Sequence, residues 1–295
     1  MNANKLNDRE LISLINLIDD EDKDIFNHVN NKILEQGYSA VPLLINALSI
    51  STNIIEKERL DSLIEKLKYD NLQHEITEWK RHDSNDLLKG CIAIARYAYP
   101  DLNEEEIIES VNELYKKIEA EIKQVKPSRV EIVKALNKVI LSDYQFKGNK
   151  RNYSGINNSF INKVIEDRVG NPIMLSVIYL LVAKKFNIPL IGINSPGHFI
   201  LAYINPLIDI NKADKNELMD NLLFYLSPFY EGAMFQPADF DKMLSVYNLT
   251  DFDKNELPAN NVDIIKRIMN NVIFAIDQNG DKNQALHLLE IIEKL

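Results

Sequence analysis

SFINKVIEDRVGNPIMLSVIYLLVAKKFNIPLIGINSPGHFILAY, residues 159–203, is the stretch whose reading decides the fold. Ser159 precedes an amphipathic run (Phe160, Ile161, Val164, Ile165) and suits the N-cap of a short helix, since its hydroxyl can accept from an unpaired backbone N–H. Gly170 is expected to stop that helix, because glycine tolerates a left-handed conformation. Pro172 then suits the first position of the next helix, where its missing N–H costs nothing. From Met174 to Val182 that helix is apolar all round except for Ser176 and Tyr179, the mark of a helix inside a core. Lys184 and Lys185 complement its carbonyl end. Pro189 prevents further helix, Leu190 to Ile193 reads as a buried strand, Ser195-Pro196-Gly197 as a turn, and His198 to Ile204 as the next strand. The start of a buried helix and a histidine opening a strand can thus lie close together, the layout of a nucleophile–histidine pair.

Composition bounds the rest. At 295 residues there is room for about two domains of roughly 100–200 residues each. An apolar content of 45% can fill a sizeable core. The net charge is −10, and no dense basic block is present, which argues against nucleic acid and against anionic membrane surfaces as partners. One cysteine, Cys91, excludes an internal disulfide and fits a reducing compartment. The first residues, MNANKLNDRELISL, lack the basic-then-apolar layout of a signal peptide, and the apolar run Ile173 to Ala183 is shorter than the roughly 20 residues that span a bilayer. A cytoplasmic protein is expected.

Residues 9 to 82 show period 3.6 throughout (Leu11, Leu14, Ile15, Ile18; Ile25, Val29, Ile33; Val41, Leu44, Ile45, Leu48; Leu60, Leu63, Ile64, Leu67), with no alternation that would suggest strands. Arg81 to Asp86 is polar and marks a boundary. Helices are expected over Leu87 to Tyr97, over Asp101 to Ile122 with Asp101 as N-cap, and from Ser128 to about Leu141. Phe146 to Asn158 reads as a loop, 205–220 as an irregular insertion with one helical turn, and Leu222 to Leu226 as a strand. Asp239 to Val246 reads as a short helix, and Asn261 to Asp277 with Lys282 to Leu295 as a helical hairpin around Asn279-Gly280.

The segments FINKVIEDRVGNPIMLSVIYLLVAKKFNIPL, GINSPGHFILAY and LLFYLSPFYEGAMF, with LLKGCIAIARYAYPDLNEEE upstream, resemble the transglutaminase-like superfamily, in particular its SirB-type invasion-regulator branch of bacterial proteins. LINLIDDEDKDIFNHVNNKILEQGYSAVPLLINAL resembles a HEAT-like helical pair, and the C-terminal hairpin resembles a tetratricopeptide-like one. The resemblance implies an α+β, predominantly helical fold with a papain-like core. It sets boundaries at 1–82 (HEAT-like), 83–250 (transglutaminase-like) and 251–295 (C-terminal hairpin). Active members open the buried helix with Gly-x-Cys, place a histidine after it and orient that histidine with an aspartate. On this chain Gly170 meets the glycine, Pro172 falls at the cysteine, His198 meets the histidine and Ser227 falls at the aspartate. Proline has no nucleophile, and serine cannot supply the charge that stabilises an imidazolium.

No His-x-x-x-His or Cys-x-x-Cys pair and no Gly-rich phosphate loop occurs, so neither a metal nor another cofactor is expected. The leading expectation is a catalytically inactive protein that binds a protein or peptide through a degenerate cleft of Asn171, Ser176, Asn194, His198, Ser227 and Glu231. Two alternatives stay open. One is a hydrolase or acyl-transfer enzyme with a rearranged site, using His198 as base and Ser176 or a water as nucleophile. The other is a helical-repeat scaffold in which the cleft plays no part. For Ser176 the simpler reading is a hydroxyl bonded to the preceding turn of its own helix. For Cys91 it is a buried, unreactive thiol. The oligomeric state is not expressed in the residues.

Overall fold

The fold is α+β and predominantly helical, and the computed structural model describes residues 5–126, 128–246 and 253–295. The chain forms two compact units: one holds the described residues up to Trp79 together with Ala93–Leu102, the other Lys80–Ile92 together with the residues from Asn103 onward.

The first unit is all helix: α1 (Asp8–Ile15), α2 (Lys23–Leu34), α3 (Val41–Ile50), α4 (Ile54–Glu78) and the part of α5 (Leu87–Ala98) from Ala93 on. Its core is the apolar stripes of these helices, among them Ile15, Ile18, Ile33, Leu44 and Leu60, all essentially without solvent contact. The acidic run Asp19–Asp22 is absorbed by the turn between α1 and α2. Asp22 caps α2 by accepting from the Asp24 N–H, Asp20 accepts from the Asp22 N–H, and the Arg59 guanidinium donates to the carbonyls of Ile18 and Asp20.

The second unit packs α6 (Glu104–Ile122), α7 (Arg129–Asn137), the parallel pair β1 (Lys147–Gly148) and β2 (Val169–Gly170), and α8 (Ile161–Asp167) around the central helix α9 (Pro172–Lys185). The elements β3 (Leu190–Ser195), β4 (His198–Ile204), α10 (Lys215–Asp220), β5 (Leu222–Ser227), β6 (Ala233–Phe235), α11 (Pro237–Val246), β7 (Pro258–Ala259), α12 (Asn261–Gln278) and α13 (Lys282–Lys294) follow. The main sheet is antiparallel, in the order β6-β5-β4-β3-β7. Ile193, Ile200, Ala202 and Tyr225 of the sheet pack with Phe240 and Leu244 of α11, while α9 packs against β3 and β4. Nearly all of α9 is buried, as its all-round apolar sequence requires. Among the described residues no helix is long and apolar enough to cross a membrane.

Three local expectations are corrected. Ser159 does not cap α8: Phe160 holds that position without a side-chain cap, because the Ser159 hydroxyl is engaged by Asn171. Gly170 does not stop α8: Arg168 takes the left-handed conformation (φ 58°), and its guanidinium lies over the Tyr144 and Phe146 rings at 5.3 and 4.9 Å, contacts that offset the conformational cost. Asp101 does not cap α6: Asn103 does, accepting from the Glu105 N–H, while Asp101 lies in the turn closed by the Leu102 N–H on the Tyr99 carbonyl. The expected loop before α8 also contains β1 and a helical turn at Ile156–Ser159, and the helix from Ser128 widens into a π-helical turn over Lys138–Asp143.

Candidate functional site

The site forms where α9 begins. Asn171 is its N-cap: Oδ1 accepts from the Met174 N–H at 2.9 Å, and Nδ2 donates to the Ser159 Oγ at 2.9 Å. Both ends of this amide are thereby committed, so Asn171 holds the wall and orients the helix start. Pro172 occupies the first helical position, as its ring and missing N–H favour. Across from it, the two-residue turn Pro196-Gly197 joins β3 to β4, with Gly197 at φ 72°, and pairs Ser195 with His198.

These elements enclose a cavity of about 70 Å³. Asn171, Pro172 and Ile173 supply one wall, His198 and Phe199 a second, and the segment Tyr153–Gly155 with Ser159 a third. The fourth comes from α12, where Arg267, Asn271 and Phe274 follow at i, i+4 and i+7 and so share a face. Pro172 and His198 therefore line the same cavity.

His198 stands edge-on to Phe229 (ring centroids 5.8 Å apart) and against Tyr230 (5.4 Å). Its Nε2 is sealed from solvent and has no hydrogen-bond partner among the described residues. Burial, reinforced by the Arg267 charge, pushes its pKa down to about 4, so the ring is neutral near pH 7. Arg267 donates from Nη1 to Asn194 Oδ1 at 3.2 Å, and it forms no ion pair among the described residues. Burial also lowers the Arg267 pKa.

The other expected residues fall elsewhere. Ser176 is fully buried and its Oγ donates to the Pro172 carbonyl at 2.8 Å, turned back on its own helix and not toward His198. Ser227 ends β5, buried, with an Oγ that has no partner among the described residues. Glu231 sits in a left-handed turn (φ 57°) with an exposed carboxylate 3.5 Å from Lys150 Nζ, outside the cavity wall. Asn194 reaches the site through Arg267. Cys91 is buried in α5, where burial pushes its thiol up, away from a reactive thiolate. Sequence reasoning missed Arg267, Asn271, Phe274 and Tyr153. The spacing of 267, 271 and 274 on an amphipathic helix was a readable signal, but nothing local ties that face to the start of α9.

A buried helix opening onto a histidine at the head of an antiparallel strand is the core of a papain-like fold. A sequence model of the transglutaminase-like superfamily matches residues 105–270, more than half of the chain, and the protein belongs to that superfamily. It is similar to a UPF0162 protein of Xylella fastidiosa (33% identical over 115 residues, 39% of this chain and 41% of the relative). It is similar also to the UPF0162 protein of Vibrio cholerae (25% over 133 residues, 42% and 49%) and to human F-box only protein 21 (29% over 142 residues, 41% and 23%). The matches thus span less than half the length of each of these relatives. No solved structure matches the chain.

Proposed function

We propose that this chain is a catalytically inactive transglutaminase-like protein that binds a protein or peptide through the cleft at the start of α9. The observation that carries the reading is the setting of His198: a neutral imidazole beside a cation, with Nε2 unpartnered; the resemblance adds that Pro172 and Ser227 fall where active members have the cysteine and the aspartate. A histidine base needs a group to stabilise its imidazolium; here Arg267 opposes that charge. The Ser176 hydroxyl is engaged within α9, which leaves a water as the nucleophile of any hydrolase reading. A cleft keeps its shape and hydrogen-bonding groups when its chemistry is gone.

Within the same proposal belong the SirB-type branch, a HEAT-like region over 1–82, a transglutaminase-like domain over 83–250, a tetratricopeptide-like hairpin over 251–295 whose first helix closes the cleft, and a cytoplasmic location.

The test is affinity capture with the intact protein and with a His198→Ala, Ser227→Ala double variant whose thermal transition shows it folded. A partner held by the intact protein and lost by the variant is expected. Retention by both would move binding to the helical flanks. Esterase or amidase turnover that disappears with His198→Ala would replace the binding reading by the hydrolase one.

A further inference from the structure

We propose that the cavity takes a carboxylate presented by a peptide, next to an apolar side chain; this rests on the binding role just proposed and names the chemistry recognised. A guanidinium carries five N–H donors in a planar fork. Arg267 spends one of them on Asn194 Oδ1 and faces no carboxylate among the described residues, although it is more than half buried. A cation withdrawn from water without a counter-charge is unfavourable, and a planar carboxylate meets the fork through two parallel bonds. The second observation is independent. His198 lines the same cavity, and its Nε2 is a buried nitrogen with no partner among the described residues, so the wall beside Arg267 holds a second unsatisfied polar group.

The mouth says what carries the anion. Tyr153 and Phe274 line the cavity yet remain 48% and 55% exposed, so the rim offers two aromatic surfaces to an organic neighbour of the carboxylate. The segment leading to Tyr153 bears Lys147 and Arg151, with Lys150 beside them offset by Glu231 at 3.5 Å, a locally basic stretch on a chain whose net charge is −10. A single arginine and a space of about 70 Å³ suit a carboxylate group better than a phosphate dianion, which calls for more donors.

The experiment is an amide-resolved NMR titration of the intact protein with four probes. N-acetylphenylalanine carries a main-chain carboxylate, N-acetylphenylalanine amide carries none, N-acetylglutamate α-amide carries one on its side chain, and inorganic phosphate supplies a bare anion. The expected result is saturable shifts at Tyr153 and Asn271 with one or both carboxylates, the stronger identifying a chain end or an acidic side chain as the source. The uncharged amide should bind roughly tenfold more weakly or worse, and Arg267→Gln should remove that preference. Equal binding of acid and amide overturns the carboxylate while leaving cleft binding intact. Phosphate binding without carboxylate binding overturns it as well. So does silence from both acids at about 20 mM, where a ligand of millimolar Kd is near saturation. The acid–amide comparison on the unaltered protein decides the matter even if Arg267→Gln fails to fold. Failure of the underlying binding role reads out separately, as partner retention by the double variant above.

Discussion

At the residue scale, His198 is held neutral by its surroundings, and that has a consequence for stability. Its pKa lies near 4 in the folded chain against an ordinary 6.5, so as pH falls the unfolded chain takes up the proton first. Stability attributable to this residue is therefore unchanged above pH 6.5 and is lost between about 6.5 and 4, by up to about 3 kcal/mol over that range. Urea unfolding at pH 7 and pH 4.5 checks it: His198→Gln should shrink the difference in midpoint between the two, and an unchanged difference would refute the burial argument. The residues that make this site differ in how far the sequence reveals them. Asn171, Pro172 and His198 are legible because caps, helix starts and strand starts are local decisions. Arg267 is not, because a guanidinium on a helix face looks the same whether it meets water or a cavity.

At the element scale, the sheet depends on close contacts that only small residues allow. Gly192 lies in β3 paired with Leu201 and Ala259, and a Cβ there would come within 2.6 Å of Phe199 Cζ and 3.5 Å of Ile264 Cδ1. Phe199 is buried and lines the cavity, so its ring has little room to move aside. Gly192→Ala is expected to destabilise the protein by about 1–3 kcal/mol through overpacking, measured as a lower urea midpoint with an unchanged slope. A midpoint equal to wild type would mean that the ring yields freely. The helices α9, α12 and α13 and the strands β3 to β5 are readable from periodicity, from Pro172 and Pro189, and from the Asn279-Gly280 turn. The stop of α8 is not, since Arg168 adopts its left-handed conformation in company with Tyr144 and Phe146, residues over twenty positions away.

At the scale of the whole molecule, the first unit is completed by residues far along the chain. Ala95 is fully buried, the Tyr38 hydroxyl donates to the Arg96 carbonyl at 2.9 Å, and Arg96 meets Glu75 at 2.5 Å. A fragment ending at residue 102 is therefore expected to unfold at a higher temperature than one ending at residue 82, with a difference of at least several degrees, since 1 kcal/mol moves Tm by about 4–8 °C in a domain of this size. Equal transitions would mean that the second half of α5 adds nothing to that core. The sequence by itself determined the helical character of residues 9–82, the central helix α9, the hairpin that delivers His198, and the proline and serine that stand at two positions of the pattern the resemblance implies. Each of these follows from the period of apolar residues, from proline and glycine, or from residue identity. Tertiary structure alone decided that α12 closes the cavity, that Arg267 sits beside His198 with no carboxylate partner among the described residues, and that Ser176 turns away. Those outcomes depend on which distant faces are pressed together, and the burial that results sets charge, pKa and unsatisfied hydrogen bonds in ways no local pattern encodes.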